Sequence, residues 1–227
     1  MEQSLEERIL FEDNHLIIIN KLAGEIVQGD KSGDTPLCDD VKDYLKRKYD
    51  KKGNVFCGVV HRIDRPVSGA VVFAKTSKAL SRMNILVKER EIEKTYLAVV
   101  EGKPAELEAH LSDFVTRNEK LNKTFVSKTE KAGWQKAELS YSTVYQGDKY
   151  SLLEISLYTG RHHQIRAQLS AAGMPIKGDL KYGARRSNPD GSISLHSWKV
   201  AFVHPVAKEP IEVIAPLPAG FQFANRI

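Results

Sequence analysis

The feature that most constrains this chain is a short charged run between two apolar stretches, in GVVHRIDRPVSGAVVFAKT at residues 58–76. Residues 70–74 are apolar and rich in Val and Ala, which is typical of a buried strand. Pro66 and Gly69, which precede them, are turn residues. The pattern predicts a rigid loop at the rim of a sheet, and it places the carboxylate of Asp64 on that loop, where functional groups concentrate.

Three helices are predicted from cap residues and from apolar residues at helical spacing. The first has Thr35 as its N-cap and Pro36 at its first position. The second has Ser77 as its cap, and the third runs from about His162 to Ala172.

Apolar runs bounded by turn residues predict further strands. They lie in LIIIN, EKTYLAVVEG, AELSYSTVY, YSLLEISLY, SLHSWKVAFV and EPIEVI, and QGDK at residues 146–149 is a hairpin signal. Residues 105–135 mix strand fragments with a polar, lysine-bearing loop that we expect to be mobile. Because there is no repeat and no Gly/Ser linker, we predict one α+β domain, residues 1–227, around a mixed sheet.

Composition argues against several classes of protein. No stretch approaches about 18 apolar residues, and the opening MEQSLEERIL is acidic, so we expect neither a membrane span nor a secretory signal. The two cysteines, Cys38 and Cys57, provide no disulfide framework, which favours a cytoplasmic protein. Cys57 and His61 are spaced like half a zinc site without the other half, and His162-His163 lacks partners at ligand spacing. No metal site is therefore predicted, and the paired histidines are assigned to a helix cap or to a contact with a binding partner.

The charge balance favours a polyanionic partner. The chain has 34 Lys+Arg against 29 Asp+Glu, a net charge of +5. The densest basic segment is VKDYLKRKYDKK, at residues 41–52. Two interpretations stay open for it, a solvated helix face and a patch that contacts phosphates.

A second segment with chemistry is YTGRHHQIRAQLSAAGMPIKGDLKYG, residues 158–183. Its helix has Ile165 and Leu169 on a packing face and Arg166 in its first turn. An arginine there opposes the helix dipole, so we expect a charge partner from elsewhere, and Asp64 is the candidate. An opposite charge within ~4–6 Å typically lowers an Asp pKa by roughly one to three units, which would keep the carboxylate ionised.

Four stretches resemble, in order, the motifs of the RluA-type pseudouridine synthases. HRIDRPVSG is similar to H-R-L-D-x-x-T-S-G, and EKTYLAVVEG resembles the K-x-Y strand. TGRHHQIRAQLSAAGMPIKGDLKYG is similar to T-G-R-x-H-Q-I-R-x-H-x-x-x-x-G-x-P-I-x-G-D-x-x-Y-G, and LHSWKVAFVHP resembles the closing L-H-A segment. The resemblance spans about residues 10–218.

The resemblance implies a mixed, mainly antiparallel sheet in two halves with flanking helices and a cleft between the halves. It implies an isomerase that converts uridine to pseudouridine in structured RNA, an rRNA or a tRNA stem-loop, with no cofactor and no metal. No nucleotide-binding loop and no S4-type domain is recognised, so we expect a stand-alone catalytic domain. A monomer is the default expectation for its oligomeric state. That minimal form leans toward tRNA or short stem-loop targets.

The family's functional residues carry over to five positions. Asp64 matches the catalytic aspartate, Tyr96 the tyrosine that contacts the target base, and Arg166 the basic residue paired with the aspartate. Ile165 matches the apolar neighbour at the base, and Arg62 the arginine that lies against the RNA.

Neighbouring polar residues complete the predicted site. Further substrate contacts are expected from His61, Arg65, Arg161 and Gln164. Further phosphate contacts are expected from Lys75, Lys94, Lys177, Lys181, Arg185 and Arg186.

Four positions depart from the family's pattern. Ile63 replaces Leu and Val67 replaces Thr, and both changes are mild. Leu22 stands where many relatives have Pro in a K-P-A-G turn, and Gln168 stands where His is usual. These two changes put the rigidity of a turn and an RNA contact in question.

Three alternatives stay open at this point. Asp64 can act as a nucleophile or as a base at the ribose. A hydrolase that releases uracil would need a second carboxylate, for which Glu93 and Asp179 are the candidates near a motif. A non-catalytic RNA-binding protein of the same fold is the third alternative.

Overall fold

A computed structural model describes residues 4–227. The first three residues of the opening segment, on which the expectation about a secretory signal partly rests, lie outside the described residues. The chain divides into two compact units: the first extends to Ile92 and includes Ser197–Pro216, and the second comprises Glu93–His196 and Leu217–Ile227. The single domain predicted for residues 1–227 stays a prediction.

The described chain forms eleven strands and three α-helices. The strands are β1 (Ile9–Glu12), β2 (Leu16–Lys21), β3 (Gly58–Val59), β4 (Ser68–Ala74), β5 (Glu93–Glu101), β6 (Glu108–Asn118), β7 (Lys123–Ser127), β8 (Gln135–Gln146), β9 (Tyr150–Leu157), β10 (Leu195–Val203) and β11 (Pro210–Ile214). The helices are α1 (Leu37–Lys48), α2 (Ser77–Glu89) and α3 (Gln164–Ala171). Short 3₁₀ turns lie at Glu6–Arg8, Leu180–Tyr182 and Ala224–Arg226.

The first unit is built on antiparallel strands with a strongly apolar core. β2 pairs with β1 and β4, β3 pairs with β4, and β11 pairs with β10, which neighbours β4. Leu16, Ile18, Val72 and Met83 are fully buried in its core. The apolar runs therefore form strands because burial on the sheet removes them from water.

The second unit has its own run of strands in the order β5-β9-β8-β6-β7, and every pair in it is antiparallel. The β8–β9 turn lies at residues 147–149, which confirms the QGDK hairpin. Leu97, Leu139, Leu152 and Leu169 are fully buried. The predicted α+β class and mainly antiparallel sheet are confirmed, and within residues 4–227 no helix is long and apolar enough to cross a membrane.

The predicted caps of the first two helices were each wrong by one residue. α1 begins at Leu37, and the carbonyls of Ile26 and Val27 accept its first amides, at 2.8 and 3.2 Å, where a Thr35 side chain was expected. The cap of α2 is Thr76, whose hydroxyl accepts from the Ala79 amide at 3.1 Å, and not Ser77.

Two further assignments also need correction. α3 begins only at Gln164, because His163 adopts a left-handed conformation with φ 49° that the helix cannot continue through. Residues 105–135 contain both strands and loops, as predicted, but the strands are longer than fragments, since β6 and β7 form a hairpin there and β6 also pairs with β8. Pairing with a distant strand stabilises a stretch whose own apolar pattern is weak.

Candidate functional site

The predicted catalytic loop lies between β3 and β4. Asp64 is half-buried on it, and its carbonyl accepts the Val67 amide at 3.0 Å, which closes a turn. Ile63 and Val67 are 8% and 2% exposed. Because these two apolar side chains are buried on either side of Asp64, the loop is anchored in the core, and both departures from the family's pattern are packing changes.

A buried lysine holds the same loop in place. Lys21, at the end of β2, is fully buried, and its Nζ donates to the carbonyls of Leu22 and Glu25 at 2.8 Å and of Arg65 at 3.2 Å. Burial lowers the pKa of Lys21 to about 7, while the charges of Glu25 and Asp64 oppose that shift. Sequence reasoning missed this residue, although a lysine directly after the run LIIIN was its one visible signal.

The turn in which Leu22 replaces proline is held by other means. Glu25 accepts two bonds from Arg8 Nη1, at 2.9 and 2.8 Å, and one from the Leu22 amide at 2.8 Å. The Gly24 amide donates to the Arg65 carbonyl at 2.8 Å. Hydrogen bonds within the turn and to the Asp64 loop therefore hold the turn in place without the proline.

The other polar residues of this loop differ in their surroundings. His61 Nε2 accepts the Val72 amide at 3.3 Å, so the ring is attached to β4. Arg62 is exposed. Arg65 forms an ion pair with Asp34 at 2.6 Å in which both side chains are about half exposed, an arrangement that adds little stability.

The second unit carries the remaining predicted catalytic residues. Tyr96 lies on β5 opposite Ile155 and is 5% exposed. Ile165 and Arg166 lie in the first turn of α3 and are also 5% exposed. The regular β5–β9 register and the start of α3 therefore set the positions of the three side chains.

Arg166 has a charge partner within its own unit that sequence reasoning did not assign to it. Asp179, which is fully buried, accepts from Arg166 Nε at 2.7 Å and from Nη2 at 2.9 Å. The Tyr182 ring centroid lies 5.0 Å from the guanidinium carbon. This two-point pairing fixes the plane of the guanidinium. The pairing of Arg166 with Asp64 stays a prediction.

His163 is held neutral beside this pair. Its Nδ1 lies 3.0 Å from the Tyr182 hydroxyl, which accepts the Thr124 amide at 2.8 Å and is thereby placed to donate to the ring. Burial and, after it, the positive charge of Arg166 lower the pKa of His163 to about 2. The imidazole therefore stays uncharged at neutral pH.

Two glutamines of α3 belong to an internal network. Gln164 is 3% exposed, accepts from the Thr159 hydroxyl at 2.7 Å and donates to Gln168 at 3.0 Å. Gln168 is 1% exposed and donates to Asp113 at 2.7 Å. Gln168 thus occupies an interior position and is bonded within the protein. A contact of Gln164 with substrate would have to replace one of its internal bonds.

The predicted phosphate contacts are not equally accessible. Lys75 is 8% exposed and bonds Glu12 at 2.8 Å and the Asp13 carbonyl at 2.6 Å, so its assignment as a phosphate contact was wrong. Burial lowers the pKa of Lys94. The exposed side chains are those of Lys181, Arg185 and Arg186, together with Arg65. The side chains of Arg161 and Lys177 are half-buried.

A cavity of about 450 Å³ lies on the second unit's sheet and is lined by Glu108, His110, Tyr141, Glu154 and neighbouring serines. None of the predicted site residues lines it. Among residues 4–227, no cluster of three or more His, Cys, Asp or Glu could hold a metal ion.

The fold matches that of two solved structures. A solved structure titled "Human RNA Pseudouridylate Synthase Domain Containing 4" matches with a TM-score of 0.79 and 21% identity, over 96% of this chain and 91% of that one. A second, titled "Human RNA Pseudouridylate Synthase Domain Containing 1", matches with a TM-score of 0.73 and 24% identity, over 96% and 86%.

Sequence comparison defines the family. The family model described as RNA pseudouridylate synthase matches residues 15–171, a range that includes Asp64, Tyr96 and Arg166. The uncharacterized RNA pseudouridine synthase YhcT of Bacillus subtilis is 35% identical over 94% of this chain and 70% of its own length. Ribosomal large subunit pseudouridine synthase C of Buchnera aphidicola subsp. Acyrthosiphon pisum is 33% identical over 96% and 70%. The chain belongs to the RNA pseudouridylate synthase family, and it is an isomerase that acts on RNA.

Proposed function

We propose that this isomerase acts on uridine in large-subunit ribosomal RNA and that Asp64 is its catalytic carboxylate. The observation that carries the assignment is the placement of Asp64 within the matched HRIDRPVSG stretch, on a loop that Lys21 and the buried Ile63 hold in place. The RNA class is supported by relatives named ribosomal large subunit pseudouridine synthases C and D, which are 33% and 29% identical.

The reaction requires a carboxylate but no redox agent. The C1′–N1 bond breaks, C5 of the uracil joins C1′, a proton leaves C5 and a proton is taken up at N1. Asp64 acts either as the nucleophile at C1′ or as the base that removes a ribose proton, and carboxylates are established in covalent roles at sugars. Both routes need Asp64 ionised.

The second unit supplies the proposed base-binding groups. Tyr96 offers a flat ring for the uracil and a hydroxyl for proton transfer at C5, and Ile165 offers an apolar contact. Arg166 is proposed to hold the carboxylate of Asp64 in its ionised form. A uridine stacked in a helix must be flipped out first, at a cost of about a few kcal/mol, and the exposed Arg62 is suited to contact the RNA around it.

Hydrolytic release of uracil is disfavoured by the surroundings of the candidate second carboxylates. Asp179 is committed to a buried two-point pair with Arg166 and is therefore not available as an acid or base. Glu93 is exposed at the first residue of β5. Isomerisation needs only the one carboxylate that the loop presents.

Pseudouridine mapping in a deletion strain tests the assignment of substrate. Wild-type and deletion cells are compared by carbodiimide-stop sequencing of rRNA and tRNA, because pseudouridine and uridine have the same mass. Loss of a site in large-subunit rRNA, restored by the wild-type gene and not by Asp64→Asn, is the expected result. Loss in tRNA alone would overturn the rRNA assignment, and restoration by Asp64→Asn would overturn the role of Asp64.

The cellular setting is proposed on composition alone. Two cysteines and no disulfide framework support a reducing compartment, so we propose action in the cytoplasm. A monomer is the proposed oligomeric state, which size-exclusion chromatography with light scattering would test.

A further inference from the structure

The basic segment at the end of α1 is exposed and only partly neutralised. Its exposed cations are Lys46, Arg47, Lys48, Lys51 and Lys52. Arg47 lies 3.6 Å from Glu6, and Lys48 lies 2.8 Å from Glu12. Within residues 4–227, no carboxylate lies within 4.0 Å of Lys46, Lys51 or Lys52. Three ammonium groups are thus available to an anion.

An aromatic ring is fixed among these cations. Tyr49 is 44% exposed, yet its hydroxyl donates to Glu12 at 2.7 Å. The ammonium groups of Lys75 and Lys51 lie 4.6 and 5.5 Å from the ring centroid. The ring is therefore held at the surface in one orientation and is flanked by positive charge.

Glu12 is the anchor of this arrangement. It is largely buried and accepts hydrogen bonds from Lys48, Lys75, Tyr49 and Tyr44, all at 2.7–2.8 Å. Burial alone would raise the pKa of Glu12, but the four hydrogen bonds outweigh it and lower the pKa to about 2. The carboxylate is therefore ionised at neutral pH, and it attaches the end of α1 to β1.

We propose that Lys46, Lys51, Lys52 and Tyr49, here called the α1 surface, bind a single-stranded segment of the RNA substrate. The ammonium groups would contact phosphates, and the fixed ring would stack on a base, which is the combination that single-stranded nucleic acid requires. If the end of α1 were only a solvated surface, an exposed ring that is hydrogen-bonded to a buried carboxylate would have no function there. This inference rests on the proposed function for its choice of RNA as the anion.

Direct binding of the full chain tests the proposal. The probe is a fluorescein-labelled oligouridine of about 12 nucleotides, a length within the usual site size. Binding is measured by anisotropy at several salt concentrations in the Asp64→Asn background, so that turnover does not interfere. Reversing the three charges in Lys46→Glu/Lys51→Glu/Lys52→Glu should weaken binding by about 10-fold or more and reduce the salt slope by about two.

The matched control reverses three exposed cations on the other helix of the same unit, in Lys78→Glu/Arg82→Glu/Lys88→Glu. It changes net charge equally, so it should reproduce only the non-specific part of the loss. Equal losses of binding affinity in the two triple variants would overturn the proposal that the α1 surface binds RNA. A larger loss in the α1 variant supports it.

The ring is tested by a pair of substitutions. Tyr49→Phe keeps the ring and removes the bond to Glu12, whereas Tyr49→Ala removes both. Weaker binding by Tyr49→Ala than by Tyr49→Phe supports stacking, and equal binding overturns it. Isomerase activity of the wild-type chain is assayed separately. If that chain is inactive but the triple variant of the α1 surface still binds RNA more weakly, the result contradicts the proposed function and not the RNA-binding role of the α1 surface.

Discussion

At the scale of single residues, Asp179 and Arg166 form an ion pair in the interior of the protein. Asp179 is fully buried and Arg166 is 5% exposed. Removing one partner of such a pair leaves an uncompensated charge in a dry environment, which typically costs about 3–5 kcal/mol. Asp179 thus holds the guanidinium of Arg166 in place through two hydrogen bonds.

We predict that Asp179→Asn lowers the free energy of unfolding by about 3 kcal/mol or more, measured by urea denaturation at pH 7. Asp148→Asn is the control, since Asp148 is 95% exposed in its pair with Lys103, and it should leave the free energy of unfolding nearly unchanged. Equal effects of the two substitutions would contradict the assigned role of Asp179.

Glu12 gives a prediction that depends on pH. Its pKa is lowered from the ordinary value of 4.5 to about 2, so its ionised form stabilises the fold above pH 4.5, and this stabilisation is lost as the pH falls toward 2. Glu12→Gln should therefore cost on the order of 2–3 kcal/mol at pH 7 and clearly less at pH 3. Urea denaturation at the two pH values checks this, with the exposed Glu119→Gln as control. A difference that is independent of pH would be the contrary result.

Contacts between residues that are distant in the sequence could not be predicted from the sequence. Asp64, Tyr96 and Arg166 could be predicted as site residues because each lies within a contiguous motif. Lys21, which reaches the Arg65 carbonyl 44 residues away, and the pairing of Asp179 with Arg166 depend on the folded chain. Nothing in their local sequence fixes such partners.

At the scale of elements, one glycine decides whether β4 can pack. Gly69 has φ 117°, and a Cβ there would collide with the backbone of Ser197. The position therefore requires glycine for two reasons, the backbone conformation and the close approach of another strand.

We predict that Gly69→Ala destabilises the protein by about 3 kcal/mol, from backbone strain and overpacking together. Gly173→Ala separates the two causes, because Gly173 also has positive φ, 79°, but a Cβ there would meet nothing within 4 Å. It should cost only about 1 kcal/mol. Thermal unfolding of both variants checks this, and similar melting temperatures would refute the steric argument.

Elements with strong local signals were predicted well, and those stabilised by distant partners were not. The β8–β9 hairpin follows from its turn residues and apolar alternation. The start of α1 was misplaced because carbonyls of Ile26 and Val27, and not a side chain, satisfy its first amides. The β6–β7 hairpin was not predicted, because its strands are largely polar and β6 is stabilised by pairing with β8.

At the scale of the whole molecule, the residues assigned to the reaction come from both units of the chain. Asp64 belongs to the first unit, and Tyr96 and Arg166 belong to the second. The family match at residues 15–171 includes all three residues. Asp64 is the one carboxylate proposed to carry out the reaction.

The most direct test is the activity of Asp64→Asn on total RNA from a strain that lacks the gene. Purified wild-type and variant proteins are incubated with this RNA, and the digested nucleosides are separated by chromatography, with folding of the variant confirmed by its thermal unfolding. We predict that the wild-type protein adds pseudouridine and that Asp64→Asn, folded and still binding RNA, adds none. Pseudouridine formation by the folded variant at a rate near that of the wild type would contradict the account.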